Sequence, residues 1–527
     1  MHVDGGSAGD ASRHNPQPLR SPKRCPHDAA MHQPSFFGHP RGLSTLFFTE
    51  LWERFSYYGM RGLLILYMTA PLAAGGLGYD VATAGAVYGL YAGSVYLTCL
   101  PGGWLADRFL GTRAATRWGG LLILSGHVCL AMPLREIFFL GLALVVSGTG
   151  LLKPSVSTLV GGLYAPDDPR RDAGYSLYYM GINLGAFLAP LACGWLALGA
   201  EPRRFLAGVG IAPETAWHVG FGAAALGMLL GLVQFMRGTR HLAGVGDPPT
   251  TPREDDGRRL RQGGVALLGL VLLLGALLWS GQLSVQRLSD GFALVLLGVT
   301  AAFFLTMFRA GDWTPAERNR LRLILLLFVA AAVFWSLFEQ GGSTLTLFAA
   351  RNTDLILGGH AFPATWFQSV NPLLIIALAP VFAWGWVKLG ARNPGSVAKF
   401  ILGLVLVAAG FAVLVPAAQL AVAGEKVSPW WLVATYTLHT LGELCLSPVG
   451  LSAMSRLAPA RIASLTMGVW FLASAVGNYL GGRVAGLYER FTLPELFGSV
   501  ALAALVAAGV MLALLPAANR LLAPRAP

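Results

Sequence analysis

Charged side chains are scarce in this chain. They make up 12% of its 527 residues, against about 25% in an average soluble domain, so a set of ordinary soluble domains would lack the charge to cover its surface. Cysteine is scarcer still, at five residues. Four of them, Cys99, Cys129, Cys193 and Cys445, are scattered through separate apolar runs, which excludes a disulfide framework and reads as small hydrophobes. Cys25 with His27, His32 and His39 matches no standard ligand register, so no metal site is expected. The sequence also has no HExxH, no GxSxG and no phosphate-cradling GxxxxGK[ST]. That argues against an enzyme and against energy drawn from nucleotide hydrolysis. The formal charge of +12 does not gather into a basic stripe with interleaved aromatics, so nucleic acid is not an expected partner.

What the chain has instead is apolar length. Apolar residues make up 55% of it, and its mean hydropathy is +0.59. Helical segments long enough to cross a lipid bilayer are expected at 46–70, 80–105, 114–133, 136–160, 173–198, 216–236, 263–283, 288–308, 321–347, 363–387, 396–418, 429–452, 461–485 and 495–516. The connections holding Arg108, Arg113, Arg117, Arg170, Arg171, Arg318, Arg320 and Arg456 are much richer in Lys and Arg than the alternate ones. The positive-inside rule therefore places both termini in the cytoplasm. Residues 1–42, rich in Pro, His, Ser and Gly, read as a disordered cytoplasmic tail and not as a cleaved signal peptide.

Polar connections divide the spans. The spacing predicts an N-terminal six-helix bundle over 43–236, a cytoplasmic linker at 237–262, a very apolar accessory hairpin at 263–308 and a second linker at 309–320. A C-terminal six-helix bundle over 321–516 and a tail at 517–527 complete the chain. The fold class is thus an all-α polytopic membrane protein of two halves that can rock about a central site. The hairpin reads as lipid-facing packing. Gly102, Gly103, Gly181, Gly185, Gly477, Gly481 and Gly482 read as close helix packing. Gly442, Pro448 and Gly450 are expected to interrupt one span, and Pro372 another.

The chemistry is carried by polar groups inside the spans. In LFFTELWERFSYYGMRGLLILY, residues Glu50, Glu53, Arg54, Tyr57, Tyr58 and Arg61 fall within an arc of about 140° on one helix. A charged wall on a membrane helix is costly unless it is paired or faces water, so it should line an internal cavity. Lys153, Glu339, His439 and Glu443 lie within other spans, and each first-half cation has a plausible carboxylate partner. Excess carboxylate can hold a proton, and moving a cation toward or away from it toggles that proton. Cations on one half and carboxylates on the other suit a zwitterion: Glu443 would hold an ammonium, Arg61 and Lys153 a carboxylate. The aromatics Tyr57, Tyr58, Tyr178, Tyr179, Trp366 and Trp470 would accommodate varied side chains. Asn183 and Asn371 read equally as interhelical glue or substrate contacts, and His439 reads as helix packing. Energy then comes from an ion gradient, in which one charge crossing 100 mV yields about 2.3 kcal/mol.

The chain resembles the proton-dependent oligopeptide transporter family (POT, or PTR2) of the major facilitator superfamily, over about residues 43 to 516. The resemblance rests on Glu50, Glu53, Arg54, Phe55, Tyr57, Tyr58 and Gly59 in the first helix, and on GGWLADRFLG, GTGLLKPSVS, YYMGINLGAF, FEQG, WFQSVNP and GELCLSPVG. It implies proton-coupled import of di- and tripeptides by alternating access across the bacterial cytoplasmic (inner) membrane, by a chain that works as a monomer and needs no cofactor besides the proton. The substrate contacts it implies are Tyr57, Tyr58, Arg61, Lys153, Asn183, Asn371, Glu443, Ser447 and Trp470. Proton coupling is assigned to Glu50, Glu53, Arg54, Lys153 and Glu339, and Asp107 should latch the inner face with nearby arginines. Animal members handle protons with a histidine in the second helix, and span 80–105 has none, so carboxylates must do so here. The alternative is a carrier of the same fold for a non-peptide metabolite or a small anion such as nitrate; Glu443 disfavours the anion. A channel is a different class of answer, separated from a carrier by saturation and counterflow.

Overall fold

The computed structural model describes residues 36–165, 167–248, 256–309, 311–459 and 463–522. Most of the expected N-terminal tail, with Cys25, His27 and His32, lies outside the described residues, as do Arg253 and Arg461. Among the described residues every expected span is helical. The first is α1 (Arg41–Thr69). The second is two rods, α2 (Val81–Leu97) and α3 (Cys99–Leu105), separated at Thr98. There follow α4 (Thr112–Ala131), α5 (Phe138–Gly162), α6 (Arg171–Leu198), the short α7 (Ala200–Gly208) and α8 (Ala216–Gly238). The hairpin is α9 (Asp256–Trp279) and α10 (Val285–Arg309). The second half runs through α11 (Pro315–Phe338), α12 (Thr344–Asn352), α13 (Val370–Leu389), α14 (Ser396–Val422), α15 (Trp430–Leu457), α16 (Ala463–Ala485) and α17 (Leu493–Leu522). A two-residue ribbon, β1 (Ile356–Leu357) with β2 (His360–Ala361), caps one loop.

Local chemistry sets several helix starts. The Asp80 carboxylate accepts the Thr83 N–H at 2.7 Å and opens α2. Thr314 and Glu317 cap α11 reciprocally, and Pro315 fills the first helical position, where no N–H is needed. The folded chain begins earlier than residue 43: Phe36 bridges to His39, whose ring bonds the Tyr164 hydroxyl at 2.9 Å. The expected proline interruptions are not there. Pro372 sits in the first turn of α13, where its missing N–H costs nothing, and α15 runs unbroken past Gly442, Pro448 and Gly450. The break falls instead at Glu339–Gly342, a short 3-10 turn between α11 and α12.

Eight helical segments among the described residues are long and apolar enough to cross a membrane by length and composition. The helices α1 and α15 are not among them, because each is diluted by the polar residues it buries.

Within the first half α4 packs on α5, and α1 on α6 and α8; within the second, α14 packs on α15 and α17, and α11 on α16. The halves meet along α2 with α16 and along α6 with α13. At the first of these seams a Cβ on Gly482 would stand 2.3 Å from the Gly89 Cα, so only glycine allows the approach. The hairpin does more than face lipid. Gln286 on α10 bonds Thr83 on α2 at 2.6 Å, while Asp290 pairs with Arg483 on α16 at 3.0 Å. It therefore bridges both halves, an arrangement that apolar composition could not reveal.

A cavity of about 2960 Å³ separates the halves and opens at the end that carries Arg171, Arg320, Arg322 and Arg456. The opposite end is shut. There Ser369 donates to the Phe187 carbonyl at 2.8 Å, Thr365 to that of Pro190 and the Trp366 indole to that of Leu191, both at 3.2 Å.

Candidate functional site

The charged wall of α1 is buried, and its members divide into two groups one above the other. In the group nearer the open end, the Arg54 guanidinium lies 3.2 Å from Glu50 and also pairs with Glu53. One oxygen of each carboxylate and one guanidinium nitrogen have no hydrogen-bond partner among the described residues. Two carboxylates thus share one cation, and the trio is negative unless a proton joins it. Lys153 on α5 is a further cation, close enough to feel Glu50, Glu53 and Arg54.

Lys153 departs from expectation. Among the described residues it has no carboxylate partner within 4 Å; its ammonium stands 3.9 Å from the centre of the Tyr96 ring. An aromatic face holds a cation without neutralising it, so the charge stays available to an incoming anion.

The second group joins the halves. Arg61 on α1 pairs with Glu339, at the turn between α11 and α12, and donates to the Tyr88 hydroxyl at 2.7 Å. Its guanidinium also lies 5.6 Å from the centre of the Tyr58 ring. Tyr57 packs edge-on against Tyr58 and is nearly fully buried. The unwinding at Glu339–Gly342 places the carboxylate here: Tyr436 and Thr346 both donate to the freed Gly341 carbonyl, at 3.0 and 2.8 Å.

Between α13 and α15 the Asn371 amide donates to Glu443 at 2.9 Å and to Thr440 at 3.0 Å. Glu443 has no cation within 4 Å among the described residues. His439, one turn earlier, is packed against Phe411 with ring centres 4.8 Å apart, as a helix-packing residue would be. Asn183, Ser447 and Trp470 line the cavity directly, together with Tyr178 and Tyr179. Asn183 spends its amide on the Tyr179 carbonyl of its own helix at 2.9 Å.

Asp107 stands apart from these groups, exposed at the mouth of the cavity. Among the described residues it makes no ion pair within 4 Å, so the expected inner-face latch is not closed. The reason is geometric: the halves are parted at that end. Desolvation there pushes its carboxyl above the ordinary range. In the nearby loop three hydrogen bonds from Arg170, two from its guanidinium and one from its backbone N–H, hold Asp168 down, to about 2.

Residues 114–500 match the PTR2 profile of the POT family. The chain is 42% identical to the peptide transporter YePEPT of Yersinia enterocolitica over 93% of its own length and 96% of that protein. The chain belongs to the POT family. A di-/tripeptide transporter of Lactococcus lactis is 35% identical over 91% of this chain and 95% of its own. A crystal structure of the peptide transporter POT in complex with sulfate superposes with a TM-score of 0.85 at 44% identity, covering 94% of this chain and 98% of that one. The fold is therefore that of the major facilitator superfamily, and this POT protein is a multi-pass membrane transporter and not an enzyme.

Sequence reasoning missed Tyr88 and Tyr96, which hold Arg61 and Lys153. A signal existed: Tyr88, Tyr91 and Tyr96 recur at helical spacing in a glycine-rich membrane span, and a hydroxyl stripe in such a span needs polar company.

Proposed function

We propose that this POT protein imports di- and tripeptides together with protons by alternating access in the bacterial inner membrane, with both termini cytoplasmic. The cavity then opens to the cytoplasm, and the conformation is inward-open. Its moving bodies are the six-helix bundles, 43–236 and 321–516, with the hairpin 263–308 as an accessory brace.

The observation that carries this reading is the ion pair between Arg61 and Glu339, made across the two halves on the shut side of the site. A proton on Glu339 removes its charge, breaks the pair and frees Arg61 to meet a peptide carboxylate beside Lys153. Glu443, steadied by Asn371, receives the ammonium. Proton and peptide are thereby coupled, because both act on one guanidinium. Tyr57, Tyr58, Asn183, Ser447 and Trp470 complete the substrate contacts, and Glu50, Glu53 and Arg54 relay the proton. Relatives named for peptides, 42% and 35% identical over nearly the whole chain, support the substrate class. A nitrate-like anion is disfavoured because Glu443 would face it without a neutralising cation.

Glu339→Gln tests the coupling. Leaving Arg61 buried without its carboxylate costs the shut conformation about 3 kcal/mol. The populations should then shift roughly a hundredfold toward opening on the other face. Uptake of labelled dialanine by this variant is expected to lose its rise with external acidity; an unaltered pH profile would remove Glu339 from the mechanism.

A further inference from the structure

The cavity wall is polarised near its mouth. Among the described residues the lining carboxylates all come from the first half, whereas the second half contributes basic residues and no carboxylate. Within that basic wall one cation differs from the rest. Lys399 is only 7% exposed, yet among the described residues it has neither an ion pair nor a hydrogen bond for its ammonium. It lines the cavity with its nitrogen 4.0 Å from the centre of the Trp386 ring. Arg456, also lining, is near enough to repel it and likewise has no ion pair among the described residues.

The backbone adds to this charge. Lys399 lies in the first turns of α14, a 27-residue helix whose N-cap, Gly395, offers no side chain to the free amides. Gly395, Ser396 and Val397 line the same cavity. The Lys399 side chain springs from this first stretch of the helix and sets its ammonium on the Trp386 ring. An uncapped helix start, an unpaired ammonium and a second cation therefore line one stretch of the cavity, with no anion among the described lining residues of that half. A cation left without a counter-charge beside the cavity can make a charge-assisted contact with an anion that enters it.

The geometry points to a second carboxylate site at the cytoplasmic mouth, formed by the first-turn amides of α14 and by Lys399 on the Trp386 face, with Arg456 at its edge. It is separate from the Arg61 and Lys153 cluster and belongs to the opposite half. The carboxylate comes either from the departing peptide or from a free cytosolic acid. Only the first source rests on the peptide-import reading.

Two arms separate the sources. In the first, efflux of dialanine and of dialanine amide is measured from proteoliposomes loaded on the cytoplasmic face, with wild type, K399Q and K399R. For a peptide carboxylate, K399Q raises the half-saturation for dialanine about tenfold, as expected for a lost charge-assisted contact. Dialanine amide, with no carboxylate to lose, keeps its value, and K399R recovers dialanine. In the second arm, fluorine NMR follows trifluoroacetate with purified protein in nanodiscs. Broadening that K399Q removes and K399R keeps assigns the site to free carboxylates if dialanine efflux is unaffected. Wild-type vesicles that carry neither peptide would defeat the import reading and leave the second arm to decide the site. The site itself is overturned if K399Q matches wild type in both arms, or shifts dialanine and its amide equally, as a merely structural role would.

Discussion

Lys153→Ala ends gradient-driven accumulation of dialanine: the ratio of internal to external peptide falls to about 1, the value for a carrier with no coupling to the proton. The expectation follows from the placement of this lysine. Its ammonium rests on the Tyr96 ring with no carboxylate among the described residues, and it feels Glu50, Glu53 and Arg54 on the adjoining helix. It is therefore the cation that can answer both to the protonation of that trio and to a peptide carboxylate in the cavity. Without it, the protonation of that trio no longer bears on the peptide carboxylate that Arg61 receives. Proteoliposomes under an inward proton gradient provide the measurement, and wild-type accumulation by the variant would take Lys153 out of the coupling set.

Glu443→Gln should cost uptake of free-amino dialanine about ten- to a hundredfold, the worth of a charge-assisted contact of roughly 1.5–3 kcal/mol. The glutamine retains the shape and a hydrogen bond to Asn371 but has no charge for an ammonium. Binding of N-acetyl-dialanine, which has no ammonium, should change far less. Equal losses for the two compounds would mean that Glu443 supports the site without touching the amino terminus. Asn371 is the only side chain hydrogen-bonded to its carboxylate among the described residues, which makes the selective loss the natural expectation.

Much of this architecture was legible in the chain because a bilayer imposes length. The fourteen apolar runs had to be helices, and the wall of Glu50, Arg54, Tyr58 and Arg61 had to face inward. Pairing was harder to read. Arg61 and Glu339 are 278 positions apart, and no local periodicity says which carboxylate a cation will choose. Lys153 illustrates this: its sequence context suggested a carboxylate partner, and the fold gave it an aromatic ring. Proline was a poor guide to broken helices, since Pro372 fell in a first turn while the unwinding came at Gly341 and Gly342, beside the carboxylate it positions. Apolar composition concealed the role of α10, whose few polar atoms, Gln286 and Asp290, make its connections to both halves. The expected Asp107 latch is not made in this structure, in which the halves are parted at that end. Lys399 drew no attention in the sequence because a lysine at a span end ordinarily reaches for the lipid interface.

The central claim is that a cation moving between Glu339 and a peptide carboxylate ties peptide entry to proton entry. The most direct measurement is uptake of labelled dialanine into proteoliposomes of the wild-type protein, with and without an inward proton gradient. Concentration above the external level only when the gradient is present is the predicted result. Equal uptake under both conditions, or none under either, would contradict it.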